Sequence, residues 1–428
     1  MSAPKRSLLG VFDLTLFNFA AIASIRWLAS AAHAGPGTLT LWLLAALLFF
    51  IPSATAVSRL SETYPESEGF FEWVEWSCGP WHGFVCLFFY WVNILLYLPS
   101  LLMTGMSIVL AMAGGQWAAR AEAKTLLVGA TLVLLIVLTL VKMLPPVLSK
   151  WAENLGSISS YLIWLLLVVG AAIAFVREGS QTVLALAPSF DFAMLNYWSQ
   201  LVFAFGGIEL ASVMTSQVDN PARTVPRATW LSGGATAGFY IAGTAAMLVL
   251  MRPESISILS GLGRGASLAA AQVGLAWVVG TLAMIVLAGV MGQASAWLVA
   301  GGRLLTALVI RTRYPRGLTL NRALLIQSAG CIVFLILSQA GDAVAAGYQT
   351  LVDMTVITYF IPYLYLFWAA WRQGARLAAM TGGAITTLGL GLSFLPTADV
   401  TNLWLFETKL IGGTLALLAL GWYVFRKR

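Results

Sequence analysis

The chain has 428 residues, of which 60% are hydrophobic and only 10% are charged, and its mean hydropathy is +0.87. A single water-soluble core cannot bury that much apolar surface, so the composition excludes an ordinary soluble globular protein. The net charge is +7, but the basic residues are spread between apolar runs, so we expect no nucleic-acid partner.

Apolar runs that are long enough to cross a membrane recur along the whole chain. A membrane-spanning helix needs roughly 20 mostly apolar residues. Twelve runs approach or exceed this length, at residues 11–31, 39–60, 80–112, 125–143, 153–176, 193–216, 227–250, 268–308, 321–339, 343–370, 375–395 and 403–424. The sequence therefore predicts an all-α polytopic membrane protein with 12 transmembrane helices in the lipid bilayer.

The connections between the spans predict the orientation and exclude a separate catalytic domain. Most of the 24 Lys and Arg residues fall on the same side as the N-terminus. Cytoplasmic loops carry an excess of these residues, so we expect a bacterial-type cytoplasmic (inner) membrane protein with both termini in the cytoplasm. The longest connection, from Ser61 to Pro80, is predicted to hold a short interfacial helix with aromatic anchors.

Two spans carry features that break an apolar helix. In span six, Gly206 and Gly207 precede Glu209, and each glycine weakens a helix by roughly 1 kcal/mol relative to alanine. Span one carries Arg26 at the equivalent place. A charge at membrane depth is costly, so Arg26 is expected to face a cavity or a partner. The alternative interpretation of the glycines is close packing between helices.

Four stretches of the chain, taken in order, resemble the amino acid-polyamine-organocation (APC) transporter superfamily. They match the loop after that family's second helix, its sixth helix with the following loop, its eighth helix and its tenth helix. The matching residues are 58–69, 203–209 with 219–228, 297–303 and 361–365. Within the superfamily, the segment from Ser24 to Leu28 looks most like the glutamate:GABA antiporter and bacterial amino acid permease branch.

The resemblance implies a LeuT-like fold in a single transmembrane transporter domain, residues 1–428. Two inverted repeats of five helices would occupy residues 11–176 and 193–370, and two additional helices would occupy residues 375–424. One departure from the family lies at the break in span one, where most members have a glycine-rich triplet and this chain has Ser24, Ile25 and Arg26.

The resemblance also implies where a substrate binds. Its carboxylate would meet backbone N–H groups at the first break, and its amine would meet carbonyl groups at the second. Aromatic and polar side chains would complete the site, and packing against neighbouring helices or lipid is their alternative role. The predicted substrate-binding residues are Ala23, Ser24, Ile25, Arg26, Asn93, Tyr97, Phe203, Ala204, Phe205, Gly206, Gly207 and Trp297.

Three charged residues at membrane depth have several possible roles. Arg26 could bind a carboxylate bidentately, could supply a fixed positive charge where relatives place a sodium ion, or could form a structural pair with a neighbouring acid or with backbone carbonyls. Glu209 and Asp353 could couple transport to protons or act in gating, and a structural hydrogen-bonding role is the alternative for both.

The function that fits these features best is a secondary active transporter, a permease that moves amino acids by alternating access. Sodium-independent exchange and proton coupling both remain open. The alternatives are a polyamine or amine transporter and a transport-inactive membrane sensor. We expect no enzyme, cofactor or metal site, because the chain has no nucleotide-binding glycine-rich loop and no cluster of catalytic or metal-ligating residues. A homodimer remains open.

Overall fold

The computed structural model describes residues 10–67, 69–143, 149–184, 187, 192–209, 218, 220–311, 318–397, 400 and 402–426. Within these residues the chain forms eighteen α-helices. They are α1 Val11–Ile22, α2 Arg26–His33, α3 Thr38–Ala45, α4 Ile51–Thr63, α5 Phe70–Cys78, α6 Pro80–Ala113, α7 Gly115–Ala119, α8 Lys124–Met143, α9 Ser149–Glu178, α10 Phe192–Ala204, α11 Pro221–Leu250, α12 Gly261–Gln272, α13 Val279–Arg311, α14 Leu320–Gln339, α15 Val344–Arg372, α16 Arg376–Leu392, α17 Leu403–Glu407 and α18 Gly413–Arg426.

Nine helical segments among the described residues are long and apolar enough to cross a membrane, and they match nine of the twelve predicted spans. They are Thr38–Thr63, Pro80–Ala113, Lys124–Met143, Tyr161–Glu178, Arg223–Leu250, Ala276–Arg311, Leu320–Gln339, Val344–Arg372 and Leu403–Arg426. Turns of π-helix join α3 to α4 and α17 to α18, so each of these pairs continues as one rod. The prediction of a polytopic helical membrane protein is confirmed, and the number twelve stays a prediction.

The other three predicted spans are shorter as continuous helices. Span 11–31 is divided into α1 and α2, and span 193–216 is helical as far as Ala204, while residues 210–216 lie outside the described part. Span 375–395 corresponds to α16, which has 17 residues. One predicted boundary is wrong: residues 268–272 belong to α12, because Gly274 turns the chain with φ +75° before the next long helix starts.

Two helices form the centre of the molecule. In an apolar 18-residue stretch of each helix, 94% of α6 and 83% of α15 is buried inside the protein. The corresponding stretch of the span that contains α18 is only 17% buried. A helix that is apolar on all sides and surrounded by other helices belongs to the protein interior, and one that exposes its apolar residues faces lipid. The candidate site therefore lies against α6 and α15.

Arginines mark one end of the helix bundle. Arg59 Nε near the end of α4 donates a hydrogen bond to the Gln373 carbonyl after α15, at 2.9 Å. At the same end, Arg311 contacts the carboxylates of Glu72 and Glu75 in α5, at 3.2 and 3.3 Å. We call this the arginine-rich end, and it also carries Arg372 and Arg376.

Lysines mark the opposite end, where α14 finishes. Lys124 Nζ donates to the carbonyl of Gln339, and Lys409 Nζ donates to the carbonyls of Ser338 and Ala340. Cations at the C-terminus of a helix satisfy its last carbonyls and oppose its dipole. We call this the lysine end, and α6 runs from the arginine-rich end to it.

Candidate functional site

The first helix break lies between α1 and α2, at Ala23, Ser24 and Ile25. Ala23 has an extended backbone (φ −68°, ψ 109°), and its N–H makes the last bond of α1, to Phe19 at 2.8 Å. The backbone N–H groups of Ile25 and Arg26 have no hydrogen-bond acceptor among the described residues. The break therefore leaves two donors free at the start of α2, where the helix dipole also places partial positive charge.

The second break follows α10, where residues 205–207 form a turn. A different feature of the geometry requires glycine at each of the two positions, Gly206 and Gly207. A Cβ atom on Gly206 would lie 2.3 Å from the ring of Tyr359. Gly207 has φ +112°, which side-chain-bearing residues rarely adopt. Both breaks therefore lie where the sequence predicted them, and the predicted binding role of these residues remains a prediction.

Tyr240 in α11 joins the two breaks, and the sequence analysis did not identify it. Its hydroxyl lies 2.9 Å from the Ile22 carbonyl and 3.0 Å from the Ala204 carbonyl, and it accepts from the Ser24 N–H at 3.3 Å. The ring is completely buried and stacks on Trp42 with centroids 4.3 Å apart. A tyrosine in an apolar span carries no sequence signal for this role.

Arg26 lies at the first break and is buried, with 2% of its surface exposed. Its Nη1 donates to the Ser100 hydroxyl at 3.1 Å. The guanidinium carbon lies 4.0 Å from the ring centroid of Trp27 and 4.7 Å from that of Tyr97. The Nε and Nη2 groups have no hydrogen-bond partner among the described residues.

The charge of Arg26 is not balanced within the described part of the protein. The ion pairs found there do not include it, so the predicted structural pair with an acid is not present in that part. A desolvated cation–π contact contributes about 2 kcal/mol, whereas the effective cost of burying an ion is several kcal/mol. An anion with two acceptor atoms would satisfy both the free N–H groups and the charge.

A narrow cavity adjoins Arg26 on the side towards the lysine end. It lies between the first break, α6 and α13, and its polar lining residues are Ser24, Arg26, Thr104 and Gln293. No acidic residue lines it, and the rest of its wall is apolar. Its volume is about 20 Å³, room for about one water molecule.

Aromatic rings fill the space between the two breaks. Phe203 packs edge-on against Trp27 on one side and against Tyr359 on the other, with centroids 5.5 and 4.9 Å apart. Tyr97, whose ring contacts the guanidinium of Arg26, packs against Trp297 with ring centroids 5.3 Å apart. The structure thus brings Tyr97, Phe203 and Trp297 close to Arg26, and their predicted role in covering a substrate remains a prediction.

Glu209 binds four hydrogen-bond donors in a completely buried cluster on the arginine-rich side of the breaks. Tyr90 and Tyr359 donate to Oε1, at 2.9 and 2.8 Å. The hydroxyl of Tyr363 and the N–H of Gly207 donate to Oε2, the latter at 3.1 Å. We call these residues the Glu209 cluster; it connects α6 and α15 to the second break.

Arg26 and Glu209 lie at different depths. Arg26 contacts Ser100 and Glu209 contacts Tyr90, both on α6. Ten residues of helix correspond to a rise of about 15 Å. The two charges therefore bind separate partners, with the aromatic residues between them.

Asn93 and Asp353 take part in contacts between helices. The Asn93 amide donates to the Thr355 carbonyl at 2.7 Å and so ties α6 to α15. Asp353 is completely buried and accepts from Gln349 Nε2 at 3.0 Å and from Asn196 Nδ2 at 3.4 Å. Neither residue contacts Arg26, so the structure places them beside the breaks and not at the free donors.

Comparison with known proteins identifies the family. A family model described as amino acid permease matches residues 9–421. An uncharacterized transporter of Legionella pneumophila is 24% identical over 99% of this chain and 97% of its own length.

Two further relatives have named substrates. A glutamate/gamma-aminobutyrate antiporter of Lactococcus lactis is 22% identical over 94% of this chain and 86% of its own length. A probable agmatine/putrescine antiporter of the same species is 25% identical over 52% of this chain and 47% of its own length. The family match covers nearly the whole sequence and agrees with the helical, apolar fold. The chain therefore belongs to the amino acid permease family of the APC superfamily and is a membrane transporter, not an enzyme.

Proposed function

We propose that this protein is a secondary carrier that moves amino acids across the cytoplasmic membrane by alternating access, exchanging one for another without sodium. The observation that carries the proposal is Arg26, a buried guanidinium with two unpaired N–H groups at a helix break. A cation in that position requires an anion, and an amino acid brings a carboxylate.

The first break is the carboxylate side of the proposed site. Ala23, Ser24 and Ile25 form its unwound backbone, and the free N–H groups of Ile25 and Arg26 point to anion binding at the start of α2. The guanidinium of Arg26 adds a bidentate partner for the same carboxylate or for a second one. Ser100 and the neighbouring rings hold this side chain in place.

The second break is the amine side. The carbonyls that we propose to meet a substrate ammonium are those of Phe203, Ala204 and Phe205. The Phe203 carbonyl accepts from the Gly206 N–H at 2.8 Å and the Ala204 carbonyl lies 3.0 Å from the Tyr240 hydroxyl, so a bound ammonium would share these acceptors. Gly206 and Gly207 permit the turn, and Tyr240 fixes its position relative to the first break. Phe203 and Trp297 would cover the substrate, and Asn93 would position α6.

Exchange without sodium follows from the fixed charge of Arg26. A permanent cation at the first break repels a sodium ion from the same place. When the carrier changes its open side with no anion beside Arg26, the guanidinium would stay buried and unpaired, which costs several kcal/mol. The carboxylate of a bound substrate removes this cost, so reorientation with substrate is favoured over reorientation of a carrier whose Arg26 has no anion.

The Glu209 cluster is the proposed gate at the arginine-rich end, which we assign to the cytoplasmic side by the distribution of basic residues. Its hydrogen bonds join the second break to α6 and α15, and aromatic rings pack between the cluster and Arg26. Release of substrate to that side requires these bonds to part. Proton transfer at Glu209 or Asp353 is the alternative way to couple transport.

The proposed architecture follows from the positions of the breaks. Each lies in the first helix of a proposed inverted repeat, residues 11–176 and 193–370, and residues 375–424 add two helices to give twelve spans. Inverted repeats with broken helices at mid-membrane are typical of such carriers. A homodimer is compatible with the exposed apolar surface of α18.

An amine substrate is the second candidate. The agmatine/putrescine antiporter among the relatives and the buried carboxyl of Asp353 favour it. The charge of Arg26 disfavours it, because a polyamine would bring a second cation to a site that already holds one.

Exchange in liposomes tests the proposal. Purified protein would be reconstituted with glutamate inside, and uptake of labelled glutamate would be followed in choline buffer and in sodium buffer. We expect equal uptake in both, and a much lower rate from liposomes without internal substrate. Uptake of labelled putrescine with no uptake of any of the twenty amino acids would contradict the proposal and favour the amine carrier.

A further inference from the structure

The buried charge of Arg26 also needs a partner when no substrate is bound. The rings of Trp27 and Phe203 pack against each other, and the guanidinium of Arg26 is buried beside Trp27. Nε and Nη2 donate to nothing in the described part. A water molecule in the cavity would accept a hydrogen bond but would leave the charge uncompensated.

We propose that the cavity beside Arg26 binds a small monovalent inorganic anion, chloride under ordinary conditions, whenever the carboxylate of a substrate is absent. This inference rests on the proposed function for its second half, the displacement by substrate. The anion site itself rests only on the geometry around Arg26.

The cavity walls suit an anion of this kind. The guanidinium supplies the charge, and Ser24, Thr104 and Gln293 supply polar side chains, with no acidic residue in the lining. The free backbone N–H groups of Ile25 and Arg26 lie at the same break. The guanidinium, the backbone N–H groups, the Ser24 hydroxyl and the Gln293 amide can donate hydrogen bonds, whereas the Thr104 hydroxyl already donates to the Ser100 carbonyl at 2.9 Å. None of these groups carries negative charge that would repel the ligand.

The size of the cavity limits the ligand. Its 20 Å³ admits about one particle as small as water. Chloride and bromide are monatomic and need no directional partner, whereas gluconate is a chain of many atoms and is too large for this volume. The site should therefore discriminate between anions by size at equal charge.

The first test measures thermal unfolding of the full chain in detergent without amino acids. Choline chloride would be replaced stepwise by choline gluconate at constant ionic strength. We expect a saturable rise in Tm with chloride and with bromide for the wild type, and no rise for Arg26→Gln. The matched control is Arg303→Gln, which removes an exposed arginine of α13 and should keep the full chloride effect.

The second test needs no variant and remains decisive if Arg26→Gln fails to fold. Binding of labelled glutamate to the wild type would be titrated at several chloride concentrations. Competition predicts an apparent Kd that increases in proportion to chloride above the chloride dissociation constant. A glutamate Kd that does not depend on chloride would overturn the displacement by substrate.

The outcomes separate this inference from the proposed function. No chloride effect on the wild-type Tm, or an equal effect in Arg26→Gln, overturns the anion site whether or not the protein transports amino acids. A chloride effect that requires Arg26, in a protein that binds no amino acid, supports the anion site and contradicts the proposed function.

Discussion

Replacing Tyr240 by phenylalanine removes a hydroxyl that links the two helix breaks and leaves the ring stacked on Trp42. The hydroxyl has one proton, so it donates to only one of the carbonyls of Ile22 and Ala204 at a time while it accepts from Ser24. A net hydrogen bond contributes about 1 kcal/mol, and a buried polar group left unpaired costs about 1–3 kcal/mol. We expect Tyr240→Phe to destabilise the protein by about 2–3 kcal/mol.

The loss should also affect substrate binding, because the groups released are those that position the site. If half of the cost falls on the binding-competent arrangement, affinity decreases about tenfold, since 1.4 kcal/mol corresponds to that factor. Thermal unfolding in detergent and glutamate exchange in liposomes would measure the two effects.

Tyr161→Phe is the control for this prediction. Its ring stacks on Phe19 at 5.3 Å, and its hydroxyl has no hydrogen-bond partner among the described residues. We expect this variant to resemble the wild type in both assays. A Tyr240→Phe protein that is as stable and as active as Tyr161→Phe would refute the assignment of the hydroxyl as a link between the breaks.

Three further predictions test the gate, the second break and the lysine end. Glu209→Gln replaces one acceptor of the cluster with a donor and weakens its charge-assisted bonds. We therefore expect a thiol reagent added on the arginine-rich side to label a cysteine introduced near the breaks faster than in the wild type, and an unchanged labelling rate would contradict the gate. Gly206→Ala places a Cβ 2.3 Å from the Tyr359 ring, and we expect exchange to fall at least tenfold with normal membrane insertion, whereas wild-type exchange would show that the turn can shift freely. Lys409→Met removes the ion pair with Asp342, and we expect the unfolding free energy to fall by up to about 3 kcal/mol while substrate affinity stays unchanged. A change in affinity without a change in Tm would contradict a purely structural role for this ion pair.

The two helix breaks could be predicted from the sequence because both depend on local chemistry. A glycine pair followed by an acid, and an arginine in an apolar run, are costly in a continuous membrane helix whatever surrounds them. In the structure, α1 ends at Ile22 and α2 begins at Arg26, and α10 ends at Ala204, just before the glycine pair. The structure also explains each glycine: Gly206 lies too close to the Tyr359 ring to carry a Cβ atom, and Gly207 has a positive φ angle. Neither fact can be read from the sequence.

The partners of the charged residues could not be predicted, because they come from distant parts of the chain. Glu209 is hydrogen-bonded to tyrosines 119, 150 and 154 positions away. The sequence allowed a structural pair for Arg26, but in the structure Arg26, Glu209 and Asp353 each have a different set of neighbours. Tertiary contacts of this kind leave no periodic pattern in a single sequence.

Helix length was less predictable than helix position. The run at residues 268–308 is apolar throughout, yet α12 ends at Gln272, and a turn with Gly274 in a positive-φ conformation precedes α13. Apolar composition alone does not reveal such a turn, because both helices pack against α6 and α9 and are apolar for that reason. The central claim, a carboxylate site at Arg26, depends on burial and pairing that only the fold provides.

Binding of labelled glutamate to Arg26→Gln measures that claim most directly. The glutamine keeps two N–H donors and removes the charge, so a neutral structural role would survive the change. Breaking a buried hydrogen-bonded charge pair costs about 2–5 kcal/mol, which corresponds to a loss of affinity of at least about thirtyfold. Our account predicts this loss in a protein that unfolds at or near the wild-type temperature in gluconate buffer. Glutamate binding with wild-type affinity by the variant would contradict it.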